Sequence, residues 1–262
     1  MSNCMVAALA LLTAACATRP DPTNVAAVHS YEEANDPIEP LNRYFFELNN
    51  FLDMIVLKPL ATWYAGVLPD FAQTGVRNFL NNLKTPVVLA NDMLQDDWDG
   101  AGTTLTRFGA NTTAGVLGLG DPATGWGYPR HDNDFGITLG KYGVSEGPYL
   151  YLPVLGPKPP RDLVGTGVDF AFDPLTYIYW NGPYTVPVIR MALGAVSYRA
   201  TNAATIDSIE ATSVDYYASI RSLYRQNRRS AVEGDKPADV NTLPDIDNLD
   251  LDAPEQTPAA PQ

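Results

Sequence analysis

The sequence has few of the residues that disulfide frameworks and metal sites require. Its 262 residues include two cysteines and two histidines. Cys4 lies near the N-terminus and Cys16 ends a short apolar run that resembles a signal peptide. If the chain is cut just before Cys16, only one cysteine remains and no disulfide can form. His29 and His131 are too few for a typical transition-metal site. We therefore expect no disulfide, no metal and no cofactor.

Long hydrophobic runs are also missing beyond the N-terminal segment. A helix that spans a bilayer needs about 18 or more predominantly apolar residues. No segment after residue 16 has such an uninterrupted run. We expect no transmembrane helix.

Basic charge is scarce as well. Lys and Arg number 17 against 30 Asp and Glu, which gives a formal net charge of -13. Binding to nucleic acid requires a basic face that neutralises phosphates, so we expect no nucleic-acid partner. The acids concentrate in residues 233–262, where eight acidic residues accompany Lys236 alone. This segment is also rich in proline and poor in apolar residues, so we predict an acidic disordered tail.

The N-terminal segment does contain a recognisable signal. The apolar run from Met5 leads through Ala14 and Ala15 to Cys16, a pattern typical of bacterial lipoprotein signal peptides cut just before the cysteine. We predict a signal peptide at residues 1–15, lipidation at Cys16, and a lipidated N-terminus with a polar tether over residues 16–35. The alternative is an ordinary signal peptide in which the cysteine is incidental.

The rest of the chain favours a mainly α single domain over residues 36–232. From Leu41 the apolar residues follow the three-four spacing of one helical face, and this helix is expected to end near Pro59. A later helix is expected to end at Pro86, and another is expected to begin there and run through Leu94. Acids such as Asp97 suit the N-terminus of the helix after that. Between Gly115 and Pro160, dense glycine and proline predict long ordered loops. Helical spacing resumes near Arg161 and dominates from Pro187 to about Arg229.

Two short motifs imitate catalytic sites without the partners that catalysis needs. Gly143 to Gly147 matches the nucleophile elbow around Ser145, but both histidines precede Ser145, whereas that fold supplies its histidine after the serine. Asp134-Phe135-Gly136 lacks the glycine-rich loop and catalytic loop of a kinase. We therefore expect that the protein is not an enzyme.

Several segments in order resemble the MlaA/VacJ family of outer-membrane phospholipid-transport lipoproteins. Asn35 to Arg43 is similar to the family's opening Asp-Pro, acid and Asn-Arg pattern. The remaining matches run from Val76 to Asp162 and comprise Val76 to Phe79, Asn82-Leu83, Asn91, Leu94-Gln95, Arg107-Phe108, Asn111 to Thr113, Gly115 to Pro122, Asp134 to Gly136, Thr138 to Gly140, Tyr142-Gly143, Gly147 to Tyr149, Leu152-Pro153, Leu155 to Pro157 and Arg161-Asp162.

The resemblance implies a ring-like arrangement of amphipathic helices around a channel, with no catalysis. Such a protein would lie in the inner leaflet of the outer membrane beside a trimeric porin. It would remove phospholipid misplaced in the outer leaflet and pass it to a periplasmic carrier of the MlaC type, so phospholipid is the expected ligand. The alternative is an envelope scaffold that joins a porin to periplasmic proteins and binds no lipid.

Three groups of residues are candidates for specific roles within such a ring. The first helix carries apolar residues that we assign to the core, with leaflet contact as the alternative: Phe45, Leu48, Phe51, Leu52 and Ile55. A buried polar set is expected to hold the ring together, because buried polar groups must be paired: Asn42, Arg43, Asn78, Arg107, Asn111 and Asp134. A basic stripe near the C-terminus, Arg221, Arg225, Arg228 and Arg229, is interpreted as contacts for head groups or an acidic partner, with a solvated helix face as the alternative.

Overall fold

The computed structural model of the chain describes residues 34–178 and 185–234, together with Thr23, Val28 and Tyr31. The predicted signal peptide, Cys16, nearly all of the tether and the acidic tail from residue 235 lie outside the described residues. The described part is mainly α-helical and forms a single domain, as the sequence predicts. It includes Asn35 of the predicted tether, whose backbone oxygen accepts a hydrogen bond from the Tyr149 nitrogen at 2.7 Å.

The helices and strands follow one another in a simple order. They are α1 (Glu39–Leu52), a π-helical turn (Asp53–Leu57), α2 (Lys58–Val67), α3 (Asp70–Leu94), α4 (Trp98–Thr113), α5 (Pro122–Gly125), α6 (Phe135–Lys141), β1 (Tyr151–Leu152), β2 (Gly156–Pro157), α7 (Pro160–Phe172), α8 (Pro174–Ile178), α9 (Thr185–Thr201), α10 (Ala203–Thr212) and α11 (Tyr216–Glu233).

The first helical run does not end near Pro59, so that prediction is wrong. The chain passes from α1 through the π-helical turn into α2, and Pro59 occupies the first turn of α2. Proline lacks a backbone N–H and therefore cannot donate to the preceding turn. A π-helical turn just before it changes the hydrogen-bond register without breaking the helix.

Pro86 also fails to end its helix, because α3 continues through it to Leu94. An interior proline costs about 3 kcal/mol through a lost hydrogen bond and a steric clash. In this fold α3 packs along α4 and also meets α7 and α9. This tertiary packing outweighs the local penalty, which no single-sequence signal reveals.

The connection after α4 brings the chain back against α3. Asp97 caps α4 by accepting a hydrogen bond from the Gly100 nitrogen at 2.8 Å, as the acids at this position indicate. After α4 the backbone turns at Gly118, which has φ +89°. A Cβ at Gly118 would lie 2.6 Å from the Cβ of Asn82, so the close approach to α3 requires glycine.

The region between Gly115 and Pro160 is more structured than predicted. It contains the short helices α5 and α6 and the antiparallel pair β1 and β2, in which Tyr151 lies opposite Pro157. The sequence hides α6 because Gly136 and Gly140 lower its helix propensity. Its N-cap, Asp134, accepts from the Ile137 nitrogen at 2.9 Å and supplies the start signal.

An aromatic cluster joins the two ends of the described domain. Phe46 of α1 meets Tyr151 of β1 and Tyr217 of α11 edge to face, with ring centroids 5.4 Å apart in both pairs. Tyr149 extends the cluster to Tyr217 at 6.2 Å. Such pairs each contribute about 0.5–1.5 kcal/mol beyond their buried area. Helix α1, the hairpin formed by β1 and β2, and helix α11 therefore form one packed unit.

Candidate functional site

Two adjoining cavities lie beside α3. The first, which we call the amphipathic cavity, has a volume of about 410 Å³ and combines apolar side chains with several charged pairs. The second, which we call the cationic cavity, has a volume of about 260 Å³ and a largely polar lining. Lys84, Val88 and Asp132 line both. The two cavities are therefore neighbours along one helix.

The wall of the amphipathic cavity includes an arginine held between two carboxylates. Arg228 of α11 donates from Nη1 and Nη2 to Asp134 at 2.6 and 3.0 Å, and from Nη2 and Nε to Asp162 at 2.7 and 2.9 Å. Gly136 and Gly165 have no side chains to separate α6 from α7, and a Cβ at Gly165 would collide with the Gly136 nitrogen. The close packing of α6 on α7 thus brings both carboxylates within reach of one guanidinium.

Arg228, Asp134 and Asp162 form what we call the ion triad, and the contacts within it affect the pKa of both carboxyl groups. Burial alone would raise the pKa of Asp134 and of Asp162, but hydrogen bonds and charge from Arg228 hold both pKa values below the ordinary range. Asp169, a little further along α7, behaves differently. Its burial raises its pKa although it accepts hydrogen bonds from Asn91 at 2.9 Å and from the Phe135 nitrogen at 3.0 Å.

Apolar side chains and a second ion pair complete the amphipathic cavity. Val87 of α3 and Phe170 of α7 provide apolar surface in its wall. Arg190 of α9 donates to Asp173 at 2.5 Å across the gap between α7 and α9. A molecule with both a charged part and an apolar part fits such a lining.

The cationic cavity is bounded by two further groups of charged residues. Arg107 donates to both carboxylate oxygens of Asp121, at 3.0 and 2.9 Å. Asp92, fully buried, lies within 3.0 Å of His131 Nε2 and accepts from Thr104 Oγ1 at 2.6 Å. The hydrogen bond with Asp92 raises the pKa of His131 although burial opposes this. Burial would raise the pKa of Asp92, but its hydrogen bonds, with His131 foremost, lower it.

The predicted polar set does not form one group but divides among three places. Asn42 and Arg43 lie where α1 meets the hairpin and α11: Asn42 Nδ2 donates to the Tyr149 oxygen at 2.9 Å, and Arg43 binds Asp215 at 2.6 Å. Asn111 donates to Asp121 at 2.9 Å and so belongs with Arg107. Asn78 lies nearby on α3 and donates to the Leu119 oxygen at 3.2 Å. Asp134 belongs to the ion triad.

The interpretation of the basic stripe as a head-group surface needs correction for three of its members. Arg221 donates to Asp36 at 2.8 Å, Arg225 to Glu146 at 2.5 Å, and Arg228 to the two carboxylates described above. These side chains face the body of the protein, because their carboxylate partners come from distant parts of the chain. Arg229 lies on the exposed side of α11.

Several residues that line the cavities or lie just behind their walls were not singled out from the sequence for a role in a site. Asp162 appears in the family-like pair Arg161-Asp162, but its pairing partner lies 66 residues away. Asp92, Asp169 and Arg190 carry no local signal, since isolated charged residues on helices are usually solvated. Spacing along one helix cannot reveal partners on another.

Many large apolar side chains remain exposed on the outer helices. Phe51 and Ile55, assigned to the core from the sequence, are 52% and 49% exposed. Trp63 on α2 and Phe71 on α3 are 66% and 80% exposed. These side chains give α1, the π-helical turn, α2 and the start of α3 apolar surface that a membrane or a protein partner can cover.

In the part of the chain that the structure describes, no helix is both long enough and apolar enough to span a membrane. The fold and the cavities define a single-domain, mainly helical protein with apolar side chains exposed on several helices and two cavities lined by charged residues. The profile of the MlaA lipoprotein family matches residues 34–231. The chain belongs to the MlaA lipoprotein family.

Individual relatives agree with the family match. The intermembrane phospholipid transport system lipoprotein MlaA of Haemophilus influenzae is 33% identical over 220 residues, covering 81% of this chain and 86% of the relative. The MlaA of Escherichia coli K12 is 33% identical over 205 residues, covering 76% and 79%. An uncharacterized protein of Rickettsia felis is 35% identical over 202 residues, covering 77% and 79%.

A solved structure shares the fold. Its description reads "Structural basis for maintenance of bacterial outer membrane lipid asymmetry". That structure is 30% identical to this chain in sequence and superposes on it with a TM-score of 0.68. The similarity covers 75% of this chain and 98% of the solved one. The helical class predicted from the sequence is therefore confirmed.

Proposed function

We propose that this lipoprotein removes misplaced phospholipid from the outer leaflet of the outer membrane and passes it to a periplasmic carrier of the MlaC type. In this proposal it lies in the inner leaflet, anchored through Cys16, as a ring of helices beside a trimeric porin. It is not an enzyme and uses no cofactor, because phospholipid is moved without any bond being made or broken.

The observation that carries the proposal is the amphipathic cavity, together with the apolar side chains exposed on α1, α2 and α3. A phospholipid joins a charged head group to apolar chains. The cavity offers both kinds of surface within one space, and its volume of about 410 Å³ lies in the range of about 300–1,000 Å³ typical of small-molecule sites. The exposed helices suit a position within a leaflet, where an amphipathic helix can bury its apolar face about 5 to 10 Å deep.

The proposal is tested by filling the cavity. Thr166 of α7 lines the amphipathic cavity, whereas Val164 on the same helix does not line it and is exposed. We expect Thr166→Trp to reduce the phospholipid that remains bound after gentle purification from membranes, measured by mass spectrometry, because the indole occupies the space. Val164→Trp, the matched control, is expected to retain the wild-type amount.

The same experiment separates lipid transport from the scaffold alternative. A wild-type protein that is isolated with a porin but without phospholipid would contradict the proposal and favour the scaffold. Equal lipid content in wild type, Thr166→Trp and Val164→Trp would show that the amphipathic cavity is not where lipid is held.

A further inference from the structure

The cationic cavity has a charge balance opposite to that of the whole chain. The protein as a whole has 30 acidic residues against 17 Lys and Arg. The cavity is lined by Arg77, Lys84, Arg107 and Arg130 against the two acids Asp121 and Asp132. Such a local excess of positive charge concentrates anions.

The two acids in the lining are already matched by two of the four cations. Asp121 is bound by Arg107 through both carboxylate oxygens. Asp132 is bound by Arg130 at 2.7 Å. Arg77 and Lys84 remain, and within residues 34–178 and 185–234 neither has a carboxylate at ion-pair distance. The hydrogen bond of Arg77 to Thr74, at 3.4 Å, is a weak one.

Arg77 and Lys84, the two lining cations with no carboxylate partner among the described residues, lie on one face of α3. Arg77, Asn81, Lys84 and Val88 are spaced by four, three and four residues, which places them on the same face of a helix. Arg77 and Lys84 are about 10 Å apart along the helix axis. Their long side chains can close around one anion between them, with the Asn81 amide as a further donor.

These features define the chemistry of the ligand. An arginine fork and a lysine ammonium are the side chains that bind phosphate oxygens, the first through paired hydrogen bonds and the second as a point charge. The volume of about 260 Å³ suits a phosphate group with a few waters but not acyl chains. The amphipathic cavity begins at the shared residues Lys84, Val88 and Asp132 and could take the apolar part of the same molecule.

We propose that the cationic cavity binds the phosphate of a phospholipid head group through Arg77 and Lys84. This inference rests on the proposed function, in which phospholipid is the molecule handled. It adds a defined position for the head group, separate from the ion triad of the amphipathic cavity. Free phosphate presents the same chemistry, and the experiment distinguishes the two sources.

The test uses the full-length lipoprotein in a non-phosphate detergent and two chain-matched probes. Dihexanoylphosphatidylglycerol carries the phosphate, and dihexanoylglycerol lacks it. We expect the double variant Arg77→Gln with Lys84→Gln to bind the phosphate probe at least about tenfold more weakly in calorimetry and to bind dihexanoylglycerol as the wild type does. The double variant Lys58→Gln with Lys141→Gln removes the same charge from exposed positions outside both cavities and is expected to leave both affinities unchanged.

The outcomes separate this inference from the proposed function. Wild-type protein that binds neither lipid would overturn the proposed function. Wild-type protein that binds both lipids, with no selective loss in the Arg77 and Lys84 variant, would overturn the cavity assignment alone. Inorganic phosphate that binds the wild type at matched ionic strength, while the phosphate lipid does not, would reject the head group and leave a site for free phosphate.

A second measurement needs no variant and therefore does not depend on variant folding. Acetylation of lysine side chains by an amine-reactive ester, followed by mass spectrometry, reports the accessibility of Lys84 and Lys141 in one sample. Bound dihexanoylphosphatidylglycerol should slow the modification of Lys84 several-fold relative to Lys141. A ratio of the Lys84 rate to the Lys141 rate that lipid leaves unchanged would contradict the proposal.

Discussion

Removal of the Arg228 guanidinium should destabilise the domain more than any neighbouring surface change. Arg228 is 13% exposed and Asp162 2%, whereas Asp134 is 38% exposed. Loss of one partner from a buried ion pair costs about 3–5 kcal/mol, because the remaining charge stays buried. Asp162 keeps Arg161 at 3.2 Å and the Tyr224 hydroxyl at 2.5 Å. The lower end of the range, about 3 kcal/mol, therefore applies.

That loss corresponds to a measurable change in thermal stability. For a domain of about 200 residues, each kcal/mol shifts Tm by roughly 2–4 °C, so Arg228→Met should lower Tm by about 6–12 °C. Arg228→Lys should have a Tm between those of the wild type and Arg228→Met, because an ammonium cannot bind both carboxylates in the paired geometry of a guanidinium. Arg229→Met, one residue along on the exposed side of α11, is the control and should change stability by less than about 0.5 kcal/mol.

The pH dependence gives a second signature of the same triad. Because the folded pKa values of Asp134 and Asp162 are lowered, their contribution to stability is present above the unfolded value of about 3.9 and is lost as pH falls through the folded values. The difference between wild type and Arg228→Met should thus be full at pH 7 and shrink below about pH 4. Circular dichroism of detergent-solubilised protein during heating measures both effects. Equal Tm values for Arg228→Met and Arg229→Met at pH 7 would refute the reasoning.

Three further predictions concern other parts of the fold. Arg107→Ala should lower the folding yield, because Asp121 loses its bidentate partner at a cost of about 3 kcal/mol; a well-folded variant that loses only transport would contradict this structural role. His131→Gln should lower Tm most at acidic to neutral pH. The pKa of His131 is raised in the folded protein, so its contribution to stability is fully present below about pH 6.5 and is lost as pH rises through the folded pKa. A Tm difference between variant and wild type that does not vary with pH would contradict this prediction. Gly165→Ala should destabilise the domain by about 1–3 kcal/mol, because the added methyl group forces α7 away from α6. Gly167→Ala, on the same helix, should be neutral or stabilising, because nothing lies within 4 Å of its added Cβ. Similar Tm values for the two variants would refute the close-contact argument.

The helical class could be read from the sequence because it depends on local spacing. The three-four pattern from Leu41 and the acidic cap at Asp97 both act within a few residues of one helix, and the structure places helices there. The continuations of the chain past Pro59 and Pro86 could not be read in this way. They depend on a π-helical turn and on packing against distant helices, which override the local preference of proline.

The cavities were less predictable than the helices because their residues meet only in the fold. Arg228 was recognised as part of a basic stripe, but its partner Asp134 lies 94 residues away and came from a different predicted group. The stripe of Arg77, Asn81 and Lys84 is visible as a spacing on α3. Its direction toward a cavity is set by α4 and the turn at Gly118, which no local pattern specifies.

The most direct test of lipid removal is the amount of phospholipid in the outer leaflet of cells that lack this gene. The measurement compares these cells with cells complemented by the wild type or by Cys16→Ala, using a reagent that labels only surface phospholipid. The account predicts that phospholipid accumulates in the outer leaflet without the gene, that the wild type clears it, and that Cys16→Ala does not. Unchanged surface phospholipid in cells without the gene would contradict a role in its removal.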